Sequence, residues 1–212
     1  MRIAIYDLDR TLTAKPTFTP YLLFAARRLA PWRLALAPIW VFAMLGHRIG
    51  LYDRTKLKTF GMRLMLGISA RADERPLDDE FAPHHIDSSG WRDDVLELLE
   101  EDRKAGAKLI VATAAFGFYA RSFARMLAVD EVIATEWDDG RIVDGNCYGE
   151  TKFLRVKHWL EERGIAREEA TIRMVSDSFA DTPLLDWADE AIFVTDSARD
   201  AAKARRRGWQ VI

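Results

Sequence analysis

From residue 89 onward, short apolar runs of strand length alternate with helix-length segments, and this alternation restricts the fold more than any other feature of the chain. Ser89 is placed to cap a helix over 90–104, with Val95, Leu98 and Leu99 inward and Gly106 as its stop. "KLIVAT" (108–113) has the continuous apolar character of a parallel strand buried on both faces. A helix over 117–127 follows, then strand "EVIAT", a "DDG" turn at Asp138 to Gly140 suited to a hairpin, and a helix over 151–163 ended by Gly164. Strand "TIRMVS", a loop with Asp177 and Asp181, a short helix, strand "AIFV", a helix over 197–207 and a final "WQVI" complete the series. Repeated strand and helix units predict an α/β fold, a doubly wound parallel sheet covered on both faces. In such sheets ligands gather at the carboxyl ends of the strands.

The first strand, "IAIY" (3–6), runs directly into Asp7 and Asp9. Carboxylates two residues apart repel unless a cation sits between them, so the pair asks for a metal ion, a lysine or a solvated turn. An Asp-x-Asp by itself is most often a solvated loop. The other predicted strand ends change the balance: "LIVA" ends at Thr113 and "IRMV" at Ser176, Asp177, Ser178 and Asp181, while Lys152 opens a helix after a short Gly-bounded loop. If the strands are parallel, four carboxylates, hydroxyls and one lysine converge on one edge. That donor set suits magnesium, which takes carboxylate oxygens and keeps waters that a phosphate can displace.

At 212 residues, 49% of them hydrophobic, the chain supports one substantial core and a smaller appendage. The appendage is predicted between the first strand and the helix at 90. Tyr21 to Gly67 is rich in Leu, Ala, Phe, Met and Trp and is broken by Pro31, Pro38, Gly46, Gly50 and Gly61, which predicts a set of short helices bounded by those residues. "RADERPLDDEFAPHHIDSSG" is acidic and reads as the loop that returns the chain to the core. Between Ala14 and Ala72 stand ten Lys and Arg against a single acid, Asp53, so a chain of net charge -2 carries +9 in this segment and -11 elsewhere. His84 and His85 are adjacent on the expected loop and diverge, without further ligands nearby, so a surface position is the expectation for both. The single cysteine, Cys147, has no partner for an internal disulfide and fits a reducing cytosol as a small residue in a turn. Met1 leads into a strand without a basic, then apolar, leader, so a cytoplasmic location is expected.

Four ordered segments carry a resemblance to a known family. "DLDRTLT", "VATAAFGFYA", "YGETKFLRV" and "SDSFADTPLL" resemble, in order, the four motifs of the haloacid dehalogenase superfamily of phosphatases, and "FVTDSARDAAKARRRGWQVI" resembles the tail of the phosphoserine phosphatase-like branch, subfamily IB. Within that branch the chain looks most like the CicA-like phosphatases. The resemblance implies a Rossmann-like core, residues 1–13 and 89–212, with an inserted helical cap at 14–88. It implies Asp7 as nucleophile, Asp9 as general acid and base, and magnesium held by Asp7, Asp177 and the main-chain carbonyl of Asp9. It also implies Thr113, the amide of Ala114 and Lys152 on the phosphate oxygens, Asp181 supporting Lys152 or the metal's waters, and Ser178 orienting the metal shell. Physical need agrees: a carboxylate approaching a phosphate dianion meets repulsion of about 4 kcal/mol per charge pair at an effective dielectric near 20, which cations must cancel.

The same resemblance raises two departures. Phosphoserine phosphatases carry a glutamate shortly after the aspartate motif for the substrate's amino group, and this chain has Pro16 there; Arg10 stands where many relatives have glycine or serine. The cap residues Leu34 to Gly46 are uncharged and flanked by Arg27, Arg28, Arg33 and Arg48, too short a run to span a bilayer but suited to an interfacial anchor with Trp32, Trp40 and Phe42 at the acyl boundary. The expected partner is therefore a phosphomonoester, for example a lipid phosphate at the inner face of an anionic membrane. Packing of the same residues against the core or a second subunit, with a soluble metabolite as substrate, stays open, as does a catalytically silent membrane-binding scaffold. Nucleic acid is disfavoured, because the charges are interleaved with leucines.

Overall fold

The computed structural model describes residues 1–67 and 75–212. A seven-stranded sheet with the order β4-β3-β2-β1-β5-β6-β7 forms its centre. The strands are β1 (Arg2–Tyr6), β2 (Lys108–Phe116), β3 (Glu131–Asp138), β4 (Arg141–Val143), β5 (Thr171–Ser176), β6 (Glu190–Phe193) and β7 (Gln210–Val211). Every neighbouring pair is parallel except β3 and β4, which form an antiparallel hairpin. That hairpin turns on Asp139 and Gly140 with φ of 44° and 71°, the doubly left-handed turn that an Asp-Gly pair accommodates.

Helices cover both faces, as the alternation predicts. On one side Ile3, Ile5, Ile110, Ile172 and Met174 pack with Val156, Trp159 and Leu160 of α7 (Glu150–Glu162), Leu184 and Leu185 of α8 (Thr182–Trp187) and Ala204 of α9 (Ala198–Arg206). On the other, Ala4, Tyr6, Leu109 and Val111 pack with α5 (Asp93–Lys104) and α6 (Gly117–Met126). Alternate residues of β1 thus serve opposite faces, the period-two signature of a strand buried on both. The expected cap of the helix before β2 is corrected: it starts at Asp93, with Arg92 as the preceding residue, while Ser89 ends another helix and donates to the carbonyl of His85.

That other helix, α4 (Arg75–Ser89), replaces the expected acidic loop over its described part; residues 71–74 lie outside the described residues. Leu77, Phe81 and His85 recur every fourth residue and are buried, with Asp78 and Ala82 beside them, an inward stripe strong enough to keep exposed Pro83 inside a helix. Before α4 come α1 (Phe18–Leu29), a 3₁₀ turn (Pro31–Leu36), α2 (Ala37–Arg48) and α3 (Arg54–Leu66). Pro31 and Pro38 do mark boundaries, but Gly46 lies inside α2 and Gly61 inside α3. Gly61 permits close packing rather than ending a helix: a Cβ there would stand 2.8 Å from the Trp40 ring. Asp53, the single acid of the basic stretch, caps α3 by accepting from the Lys56 amide at 2.7 Å. Tyr21 of α1 stacks on Tyr119 of α6 at 4.6 Å and meets Phe81 of α4 edge-on at 5.2 Å, which anchors these helices on the sheet-covering layer.

Candidate active site

Strand β1 is central, paired with β2 and β5, so its carboxyl end lies between theirs. Asp7 leaves that end with its amide donating to the Val175 carbonyl at 3.0 Å. Across the gap, Thr11 Oγ1 accepts from the Asp177 amide at 3.0 Å and ties the two loops together. Lys152 arrives from the first turn of α7, which begins after Gly149, held at φ 58° with the Ala180 carbonyl 3.4 Å from where a Cβ would lie. Asp7, Asp9, Thr113, Ala114, Lys152, Asp177, Ser178 and Asp181 all line one cleft of about 200 Å³. All eight expected residues are therefore brought together.

Lys152 is buried and donates to Asp7 Oδ1 at 3.0 Å and Asp181 Oδ2 at 2.7 Å. Ser176 Oγ donates to the same Asp181 oxygen at 2.7 Å, while the other, Oδ1, is buried without a hydrogen-bond partner among the described residues. Burial disfavours the lysine's charge, but the Asp181 and Asp7 carboxylates outweigh it and raise its pKa. Asp7 is pushed up to about 6 by burial, against the pull of Lys152, with Asp181 and Asp9 adding repulsion. Asp177 is pushed up to about 7 by burial and the Asp7 charge, opposed by Arg10.

Thr113 sits within β2 rather than at its end, because the strand continues to Phe116 with a shift in its register against β3 after Ala112. Its Oγ1 accepts from the Ala115 amide at 3.0 Å, which leaves its O–H to donate to a bound group. Asp9 Oδ1 accepts from both the amide and the hydroxyl of Thr17, at 2.8 and 2.7 Å, so one oxygen is fixed and the other faces the cleft's contents. Ser178 Oγ accepts from the Ala180 amide at 3.3 Å, capping its own turn. Two carboxylates whose ionisation is opposed by burial and by each other, beside an orphaned carboxylate oxygen, fit a hard divalent cation. Among the described residues no three His, Cys, Asp or Glu side chains form a ready metal cluster, consistent with two carboxylates and a main-chain carbonyl as the protein's share.

Sequence reasoning passed over Thr11 and Thr17, and also Arg54 and Tyr148 at the cleft mouth, where Arg54 lies 4.6 Å over the Tyr148 ring. Arg10 also lines the cleft, with φ of 60°. That left-handed conformation accounts for glycine at this place in relatives. Lys58, counted as a surface charge of the basic stretch, is buried: its ammonium donates to the Ala114 carbonyl and, at 2.9 Å, to Asn146 Oδ1, and lies 4.1 Å over Phe116. Burial pulls its pKa down to about 7. His84 and His85 stand on α4, not on a loop. His85 is buried against Phe81 and Phe123, while exposed His84 lies on Phe24.

A second cavity, of about 570 Å³, adjoins the first and shares Asp9, Arg10, Pro16, Arg54, Ala114 and Tyr148 with it. Phe18, Trp40, Met44 and Leu57 form its apolar wall. Trp40 therefore faces inward, buried and 5.7 Å from Phe18, and does not join Trp32 and Phe42 on the exterior.

Comparison with known proteins agrees with this geometry. The family model described as haloacid dehalogenase-like hydrolase matches residues 4–186. Protein CicA of Caulobacter vibrioides is 29% identical over 205 residues, 89% of this chain and 83% of that protein. A protein of unknown function from Bordetella pertussis Tohama I has a crystal structure that superposes with a TM-score of 0.86 at 27% identity, covering 100% of this chain and 97% of that one. A phosphoserine phosphohydrolase-like protein from Francisella tularensis subsp. tularensis SCHU S4 shares the fold at a TM-score of 0.64 and 16% identity, covering 100% and 95%.

Proposed function

The chain belongs to the haloacid dehalogenase-like hydrolase family, and we propose that within it the protein is a magnesium-dependent phosphomonoesterase working through an aspartyl-phosphate. One observation carries the reading: Asp7 and Lys152 stand in contact at the floor of a cleft that also holds Asp9, Thr113 and Asp177. Asp7 attacks phosphorus in line with the departing alcohol, and Asp9, its free oxygen toward the cleft, gives that alcohol its proton. Asp9 then takes a proton from the water that opens the aspartyl ester. Lys152, the Thr113 hydroxyl and the Ala114 amide hold the phosphoryl oxygens, and Asp181 holds Lys152. Magnesium, bound by Asp7, Asp177 and the Asp9 carbonyl, supplies positive charge against the anionic transition state. Ser178 shapes the loop that carries Asp177.

We assign residues 1–13 and 89–212 to the core and 14–88 to a cap whose α1 and α3 help to wall the second cavity. The substrate we favour is a lipid phosphate such as phosphatidylglycerol phosphate, presented at an anionic membrane face. Support comes from Phe42, Ile49 and Leu51, which are 73%, 75% and 71% exposed, together with Trp32, near exposed Arg27 and Arg48. No helix among the described residues is long and apolar enough to cross a membrane. The basic contribution is smaller than the +9 count, since Arg28 pairs with Glu80, Arg33 binds the carbonyls of Arg63 and Leu64, and Lys58 is buried. A soluble metabolite is the second reading, supported by the enclosure of the phosphate cleft.

Phosphate release, with and without magnesium, from soluble monoesters and from lipid phosphates in micelles tests both. We expect magnesium-dependent release that is fastest from lipid esters and falls at least ~10³-fold in Asp7→Asn. Undiminished turnover in Asp7→Asn would remove the nucleophile assignment, and faster turnover of soluble esters would favour the second reading.

A further inference from the structure

We propose that Arg10 and Arg54 bind a second anionic group on the leaving alcohol, so that the substrate is a phosphomonoester whose alcohol carries another negative charge near the ester and an apolar portion beyond it. This rests on the phosphatase reading and narrows its substrate class. The two cavities meet at Asp9, Arg10, Pro16, Arg54, Ala114 and Tyr148. With the phosphoryl group on Asp7 and its leaving oxygen toward Asp9, the alcohol must pass this junction to reach the larger cavity.

The junction is built for an anion that the protein does not supply. Both arginines are exposed, and among the described residues neither guanidinium has a carboxylate partner in hydrogen-bonding or ion-pair range. Arg54 is instead held over the Tyr148 ring, an arrangement that fixes the plane of the guanidinium and leaves its edge free. Asp9 is the single acid lining the second cavity, against Arg10, Arg54 and Lys58. The Lys58 ammonium is committed to the Ala114 carbonyl and Asn146, so it acts as a fixed positive background. The phosphoryl group already has Lys152, Thr113 and Ala114. Two planar guanidiniums one step further out match the paired oxygens of a phosphodiester or carboxylate. Beyond them Phe18, Trp40, Met44 and Leu57 offer an apolar surface to the rest of the alcohol.

The test compares two water-soluble esters with the same dihexanoylglycerol tail. In one, the phosphomonoester is attached directly to the tail; in the other, a glycerol joined by a phosphodiester separates them. The full-length wild type is expected to show the higher kcat/KM on the ester with the phosphodiester. Arg10→Gln and Arg54→Gln, both exposed positions, are each expected to cut that preference about tenfold, as for loss of a charged hydrogen bond. An unchanged preference in both variants overturns the inference, as does a wild type without preference. Equal losses on the two esters would assign the guanidiniums to the reacting phosphoryl group and overturn it too. Absence of phosphate release from either ester by the wild type would instead overturn the phosphatase reading, and this inference with it.

Discussion

The ammonium of Lys152 lies 3.0 Å from Oδ1 of Asp7, although 145 positions separate them in sequence. Both side chains are buried, and Asp181 holds the same ammonium at 2.7 Å from the other side. Lys152→Met removes one cation from between two buried acids and leaves their charge uncompensated. We expect a loss of about 3–5 kcal/mol in urea unfolding at neutral pH, and a smaller loss in acid, where the acids take up protons. A loss under about 1 kcal/mol at pH 7 would mean that the contact is energetically like a surface pair.

Asp177 and Lys58 make stability depend on pH in opposite senses. The Asp177 pKa is raised in the folded protein to about 7, so between pH 4 and pH 7 the folded state binds more protons than the unfolded one, and stability falls as pH rises. The Lys58 pKa is lowered to about 7, so above pH 7 the unfolded state binds more protons and stability rises with pH. Measured without metal, wild type should therefore lose stability relative to Asp177→Asn as pH climbs from about 4 to about 7. Relative to Lys58→Met it should gain from about 7 to about 10. Parallel pH profiles for wild type and either variant would show that the corresponding group titrates normally.

The exposed apolar side chains of α2 and the segment after it give the membrane reading its sharpest check. Phe42 and Ile49 are 73% and 75% exposed, so replacing both with serine should leave folding intact. In co-sedimentation with vesicles rich in phosphatidylglycerol, we expect the double variant to bind at least about tenfold more weakly, as for the loss of two buried apolar side chains. Equal sedimentation of the two proteins would assign these residues to another role.

Much of the site was legible because it follows from topology. Once β1, β2 and β5 are parallel, Asp7, Thr113 and Asp177 must share an edge whatever the loops do. Thr17 and Thr11 were not legible, since their value lies in bonds to Asp9 and to the Asp177 amide that only the folded loops bring into range. Lys58 misled for a related reason: nothing near it in sequence marks it as buried, and its partners come from Ala114 and Asn146, far along the chain. In α4, composition overrode periodicity. The acids and Pro83 suggested a loop, whereas the buried stripe Leu77, Phe81 and His85 already had helical spacing. Gly46 and Gly61 were taken as breaks because glycine ends many helices. Here they let aromatic rings approach, with Tyr52 against Gly46 and Trp40 against Gly61.

Arg10, at φ 60°, marks a place where durability and discrimination pull apart. A side chain in this conformation costs about 1–2 kcal/mol that glycine avoids. Arg10→Gly should therefore melt a few degrees higher than wild type, roughly 2–4 °C per kcal/mol for a chain of this size. A melting point at or below wild type would show that the guanidinium stabilises the fold by at least as much as its backbone costs. Breeding this protein for heat resistance alone would thus tend to erase the charge at the cavity junction, and a hardier descendant would be a less choosy one.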